Sequence, residues 1–450
     1  VFTEVLQAAL KTVACVWVAV VAIQAVDPEM IRAAVPAGWH SPWFGRRLEL
    51  DWSGIMPAAN TRILQDGWTI FSAFFMMTLF KGVLLSGAGP APNYDMQRVL
   101  STKTPSDAAR MSGLVTVVLM VWRYMLIAGI TVLALVFFRQ NLVAMGDKVD
   151  FEQILPLAMQ FLPSGLLGLL IAALLAAFMA TYSATVNAAP AYIVNDIYKR
   201  YMNPNADQKV LVRMSYITSV AVVVVGTAIG LFVATLNDIV QWIVSALYGG
   251  YAAANVLKWY WWRFNAYGYF WGMVGGIAGS VIVPVVMPGV SPIFAFPVIL
   301  AVSVAGCFIG SLATKPDDEA VLKEFYRRVR PWGFWGPIHA AVVRDHPETR
   351  RNTAFGRDMF NVVVGIAWQT AQVAMGIYVV LQDWRAVGVC AVIVAATTVV
   401  LKFNWYDKLE DYPADYQPPD PHAVAPDAPH LGLAEVQPTA ATGAGAGVSR

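Results

Sequence analysis

Ten runs of apolar residues, most long enough to cross a bilayer, narrow the folds open to this chain. They lie at Ala8–Val26, Trp68–Ser86, Ser112–Phe138, Leu166–Ile193, Val210–Leu236, Ile239–Leu257, Tyr267–Met287, Ile293–Ala313, Phe360–Leu381 and Val387–Leu401. Roughly 20 helical residues span the hydrocarbon core. No water there can satisfy backbone N–H and C=O groups, so only helices and closed barrels survive. The runs lack the period-2 alternation of a barrel strand and are read as helices. Composition agrees, with 58% of the 450 residues hydrophobic and only 13% charged, against about 25% charged in soluble domains. Mean hydropathy is +0.56. The expected fold class is an all-α integral membrane protein.

Charge in the loops sets an expected orientation. Arg98, Lys103 and Arg110 fall on one side, as do Lys199, Arg200, Lys209, Arg213, Lys258 and Arg263, the basic loop Lys315–Arg357, and Lys402 and Lys408. Among the opposite loops, Asn237-Asp238 and Pro288–Pro292 carry no Lys or Arg, and others hold scattered ones such as Arg139, Lys148 and Arg385. Cytoplasmic loops are enriched in Lys and Arg. A multi-pass protein of the cell's inner (plasma) membrane is therefore expected, with the basic side and the C-terminus cytoplasmic. Outside the spans, Asp27–Gly67 is a Trp-rich external connection. Residues 314–358 form a cytoplasmic loop in which DDEAVLKEFYRRV predicts an amphipathic helix capped by Asp317 or Asp318. The tail, 405–450, is rich in Pro, Ala and Gly after Pro413 and expected to be disordered. The expected division is a core at 1–313, the loop, two peripheral helices at 359–404, and the tail.

Several function classes lack their chemistry here. A net charge of +2 and no basic run with interleaved aromatics argue against a nucleic-acid partner. The five histidines all lie in loops or the tail, and Cys15, Cys307 and Cys390 sit inside apolar segments without metal-ligand spacing. No Gly-rich phosphate loop or Gly-x-Ser-x-Gly elbow is present. Neither an enzyme nor a resident cofactor is expected.

Two cations stand inside apolar runs: Lys81 in WTIFSAFFMMTLFKGVLL and Arg123 in VTVVLMVWRYMLIAG. Charge near the bilayer centre costs a few kcal/mol, so such residues snorkel, pair, or face a cavity. No Asp or Glu lies deep in a span to pair with them, and Glu4 is the nearest by depth. Either they pair with an acid outside this sequence or snorkel, or one of them attracts an anionic substrate group such as a carboxylate. Just after Lys81, LLSGAGPAP at 84–92 either breaks a helix beside a substrate site or simply ends it in a turn.

The stretch Leu162–Arg200 opens on Pro-Ser-Gly, runs through apolar and small residues, and carries a hydroxyl-rich patch at Ala177–Ala184. Such a patch lets helices approach closely or coordinates an ion. VFTEVLQ at the start, NYDMQRVLSTKTPSDAAR at 93–110, LPSGLLGLLIAALLAAFMATYSATVN at 162–187 and NDIYKR at 195–200 resemble the sodium/solute symporter family. WYWWRFNAYGYFWGMVGG at 259–276 is similar to the family's aromatic-basic helix junction, and the likeness extends over about 1–313.

The resemblance implies a LeuT-type core of two inverted five-helix repeats. The TEVLQ helix would close the first repeat and the next five spans would form the second. The first four core helices would then precede Val1, so the sequence is expected to be N-terminally truncated and not to transport by itself. The family's main sodium site would fall on the carbonyl of Ala177 and the hydroxyl positions Ala180 and Thr181, of which Thr181 keeps its oxygen and Ala180 does not. A second cation site, present in some members, would fall on Glu4, Ser183 and Ala184. Sugar-contacting positions of the family fall on Leu85, Ala88 and Leu119, none polar, which argues against a sugar. Arg123 lies one turn from Leu119 on the same face. The expected function is secondary active transport of a small organic solute, with a carboxylate among the candidates, by alternating access. Sodium is the coupling ion, and proton coupling or a non-transporting membrane sensor are the alternatives.

Overall fold

A computed structural model describes residues 2–41, 43–87, 98–144, 151–231, 251–287, 289–413 and 415–416. Among these residues there is no strand, only an isolated bridge between Trp261 and Phe334. The principal helices are α1 (Phe2–Ala25), α2 (Phe71–Gly87), α3 (Pro105–Phe137), α4 (Ser164–Pro190), α5 (Gln208–Gly230) and α6 (Ala266–Val286). They are followed by α7 (Pro292–Leu312), α8 (Glu319–Val329), α9 (Gly336–Asp345), α10 (Phe355–Val380) and α11 (Trp384–Asn404). Eight helices among the described residues are long and apolar enough to cross a membrane. The sequence led us to expect ten. Of the other two, Trp68–Ser86 is a turn at 66–69 followed by α2, an apolar helix that runs for 17 residues to the edge of the described residues at Gly87. The other, Ile239–Leu257, lies mostly outside the described residues, although 251–260 are helical.

Helix ends follow local chemistry. Pro105 sits in the first turn of α3, where its missing N–H costs nothing, and the Thr104 hydroxyl accepts the Asp107 N–H at 3.2 Å. Asn265 Oδ1 accepts the Gly268 N–H at 3.0 Å, and Asp318 rather than Asp317 accepts the Ala320 N–H at 2.8 Å. Helix α4 does not stop at Pro190 but passes into a π-wound segment, Ala191–Met202. Proline removes one N–H from the α ladder, and π winding is rare beyond a single turn.

The main core joins α1, α3 and the first half of α4 through Ala14, Val18 and Ala22, Met125 and Leu133, and Leu166, Leu170 and Ala173. A second close pair is α6 with α7. A Cβ on Gly306 would stand 2.5 Å from the Trp271 carbonyl oxygen, and one on Gly310 would stand 2.6 Å from that of Tyr267. Small residues of this kind let two backbones touch, and the Ser303 hydroxyl donates across the gap to the Gly272 carbonyl at 2.9 Å.

Contacts between connections sort into two ends. At one, Arg139 donates to the Gly54 carbonyl at 2.7 Å, Ser291 to that of Asp66 at 3.0 Å, and Gln382 to that of Val26 at 2.7 Å. At the other, Asp411 accepts the Ser106 N–H at 3.0 Å, and Arg263 donates to the Ser311 carbonyl at 2.9 Å. There too the Trp335 indole donates to the Trp259 carbonyl at 2.8 Å. Part of the expected unstructured tail is described, and it runs back along α8. The Tyr416 hydroxyl donates to Glu324 at 2.9 Å, and Asp415 pairs with Arg330.

Candidate ion and substrate site

The hydroxyl patch sits on a stripe of α4 that begins in the core. Leu166, Leu170 and Ala173 are buried, and Ala177, Ala180 and Thr181 continue that line at the three- and four-residue spacing of one helix face. Ala177 and Ala180 are half-buried, while Thr181 and Ser183 are exposed. The side chains of Glu4 and Ala184 lie outside the described residues. Helix α1, which carries Glu4, packs directly on α4.

Most hydroxyls in these helices are already committed. Thr12 donates to the Ala8 carbonyl, Thr78 to that of Phe74, and Thr131 to that of Ile127. The Thr185 hydroxyl does the same to the Thr181 carbonyl at 2.9 Å. The Thr181 hydroxyl makes no such bond to Ala177 among the described residues, so the carbonyl there keeps a lone pair free of it. Thr218, Thr227 and Thr370 share this freedom, so it permits coordination without marking it. What sets Thr181 apart is its place at the exposed end of the stripe whose first turns are buried in the core.

The substrate candidates are spread over several helices. Lys81, half-buried on α2, holds its Nζ 5.4 Å from the centre of the Phe296 ring on α7, and Phe80 meets the same ring. The electron-rich ring face offsets part of the cost of that cation. Leu85 lies one turn on, half-buried, and Ala88 lies outside the described residues. Leu119 and Arg123 share an exposed face of α3, and Arg123 makes no ion pair among the described residues. Helix α2 packs on α7, α3 on α1 and α10, and α4 on α1 and α5. Helices α3 and α4 share α1 as a neighbour while α2 packs on α7, so Lys81 stands apart from Arg123 and Thr181. Among the described residues no group of three or more His, Cys, Asp or Glu is placed to hold a metal.

The model of the Sodium:solute symporter family matches residues 1–276. The chain belongs to this family. A comparison with curated proteins found no match. In this sodium:solute symporter the matched part takes in α1 to α5 and the first half of α6, including the α4 stripe. Helices α7 to α11 lie beyond it. Thr185 went unnoticed in the sequence, although its spacing of four from Thr181 was the available signal. The junction 259–265 also has a structural use: Arg263 and Asn265 bond the last carbonyls of α7 and the loop after it, where basic side chains favour the negative helix end.

Proposed function

We propose that this sodium:solute symporter carries a small organic solute into the cell together with a sodium ion, by alternating access. The match of residues 1–276 to the family carries the reading. Helix α1 serves as the last helix of one five-helix repeat, and the five spans from Trp68–Ser86 to Ile239–Leu257 serve as the other. Thr181 supplies a hydroxyl, and Ala177 a carbonyl, to the sodium ion. A hard cation wants several oxygens, so with alanine at 180 the remaining ligands come from other helices or from water. Glu4 and Ser183 form part of a second cation site, supported by the packing of α1 on α4. Sodium bound at this stripe favours the outward-open state, and solute then closes the outer path.

The solute is an acid. Arg123, a cation within an apolar helix and without an ion pair among the described residues, supports this, as does the apolar character of Leu85, Ala88 and Leu119. The basic end of the molecule is cytoplasmic. The test is uptake by the protein, expressed from its own gene and reconstituted in vesicles, of labelled carboxylic acids with and without an inward sodium gradient. Sodium-dependent uptake that Arg123→Gln slows supports the proposal. Uptake that ignores sodium and follows a proton gradient overturns sodium coupling, and unchanged kinetics in the Arg123→Gln variant overturn the role of that cation.

A further inference from the structure

A cleft of ≈ 700 Å³ opens between the end of the 251–260 helix, the turn 331–336 and the start of α10. Its size suits a small organic ligand, for which about 300–1,000 Å³ is usual. Tyr260, Trp332, Phe334 and Phe355 give it aromatic walls, and Trp332 meets Phe355 edge to face at 5.4 Å. His339, Arg351 and Asn352 add polar groups, and no carboxylate lines it. Five buried side-chain polar atoms lack a partner among the described residues; two of them, Trp332 Nε1 and His339 Nδ1, belong to lining residues, and a third, Arg330 Nε, belongs to the residue just before the lining turn. Arg330 itself has a side chain only 11% exposed.

A buried donor left unpaired is costly, and several of them beside one cavity call for an acceptor. Arg351 makes no ion pair among the described residues. Arg330 does pair with Asp415, which leaves its Nε unanswered. Burial first, then the charges of Arg351 and Arg330, push His339 below its ordinary range. The first turn of α9, at Gly336, also borders the cavity, and helix N-termini favour anions.

We propose that this cleft binds a phosphate oxyanion, whose oxygens answer the N–H groups of Trp332, Arg330 and Arg351, while the aromatic walls hold the organic body that carries it. The donors outnumber the two oxygens of a carboxylate and suit the three or four of a phosphate. Two sources share that chemistry: a soluble phosphate, or the headgroup of an anionic phospholipid lying where α10 enters its apolar span.

The full chain, purified in detergent, would be titrated with inorganic phosphate by phosphorus NMR. In parallel it would be incubated with phosphatidylcholine vesicles with or without phosphatidylglycerol, and the retained lipid measured. Saturable binding of either probe identifies its source. Arg351→Gln should weaken it about tenfold, the usual size of one lost charge-assisted bond. Trp332→Phe, which keeps the ring and removes only the indole N–H, should weaken it a few-fold. Arg344→Gln, an exposed cation of α9 outside the cleft, should leave it unchanged. The proposal falls if neither probe binds beyond chloride and phosphatidylcholine controls. It also falls if Arg351→Gln and Arg344→Gln behave alike, since diffuse surface charge would then suffice. Uptake is not measured, so the transport proposal stands or falls separately.

Discussion

Threonine in a membrane helix ordinarily turns its hydroxyl onto the carbonyl one turn back, as Thr12 and Thr131 do here. Thr181 departs from that habit at the exposed end of the α4 stripe, so its oxygen can meet an ion without first breaking a bond. Thr181→Val, which keeps the shape and removes the oxygen, should raise the half-saturating sodium concentration for uptake about tenfold, because a lost bond to a charged group costs ~1.5–3 kcal/mol. Ala180→Ser should move it the other way. Sodium titrations of both variants, at fixed solute, check this. The sequence could point to Thr181 because the run around it is distinctive and the oxygen-bearing positions lie close together. It could not show what Lys81 meets, since the Phe296 ring approaches from a helix far along the chain. For a polar group inside a span, the partner matters as much as the position.

Among elements, the α6–α7 pair depends most on single atoms. Gly306→Ala would drive a methyl into the Trp271 carbonyl, a backbone group that cannot rotate away. Overpacking of this kind costs about 1–3 kcal/mol, and the upper part of that range is expected. Gly365→Ala on α10, where nothing lies within 4 Å, should be neutral or stabilise by up to about 1 kcal/mol. Thermal unfolding of the two variants in one detergent separates these outcomes. Glycine spacing in GMVGGIAGS was visible in the sequence, but which helix would fill the groove was not, because a small-residue face fits many partners.

The segment 406–416 clasps the rest through carboxylates, so its hold depends on pH. The Ser106 hydroxyl and then its amide keep the Asp411 carboxyl below its ordinary range. Burial raises that of Asp415, but its bond to Arg330, its own backbone N–H, the Arg330 charge and the Arg350 backbone together outweigh this and the net direction is also down. A carboxylate held low adds stability that is complete above its unfolded value, about 3.9, and fades as pH falls through the lower folded value. Amide protection in 406–413, taken relative to the intrinsic rate at each pH, should therefore be high at neutral pH and fall below about pH 4. Asp411→Asn should show part of that loss of protection at neutral pH. Composition flagged Pro and Ala in this tail but could not reveal the clasp, which joins Asp411 to a helix start some 300 residues earlier.

Across the described residues, the loop contacts fall into two ends. Arg263 and the α8–α9 segment share one end, and Arg139 lies at the other. Single cysteines at Leu64 and Arg344, in a chain lacking Cys15, Cys307 and Cys390, should react with a membrane-impermeant maleimide from opposite sides. Labelling of both from one side would overturn the topology. The loop rule reads sides from charge because most charged residues of a membrane protein must sit outside the hydrocarbon. It is silent about the phosphate cleft, whose donors converge only because Gly333, at φ +98°, folds the turn against the Tyr260 carbonyl. The bare contact of α6 with α7 has a mechanical corollary. Two rods touching backbone to backbone, and pinned by Ser303, can neither slide nor roll past each other, so they swing as a single stiff beam. Bending between them is closed off, and the chain yields instead where the beam meets its surroundings, at the Ser291–Asp66 bond and at the Phe296 contact with α2.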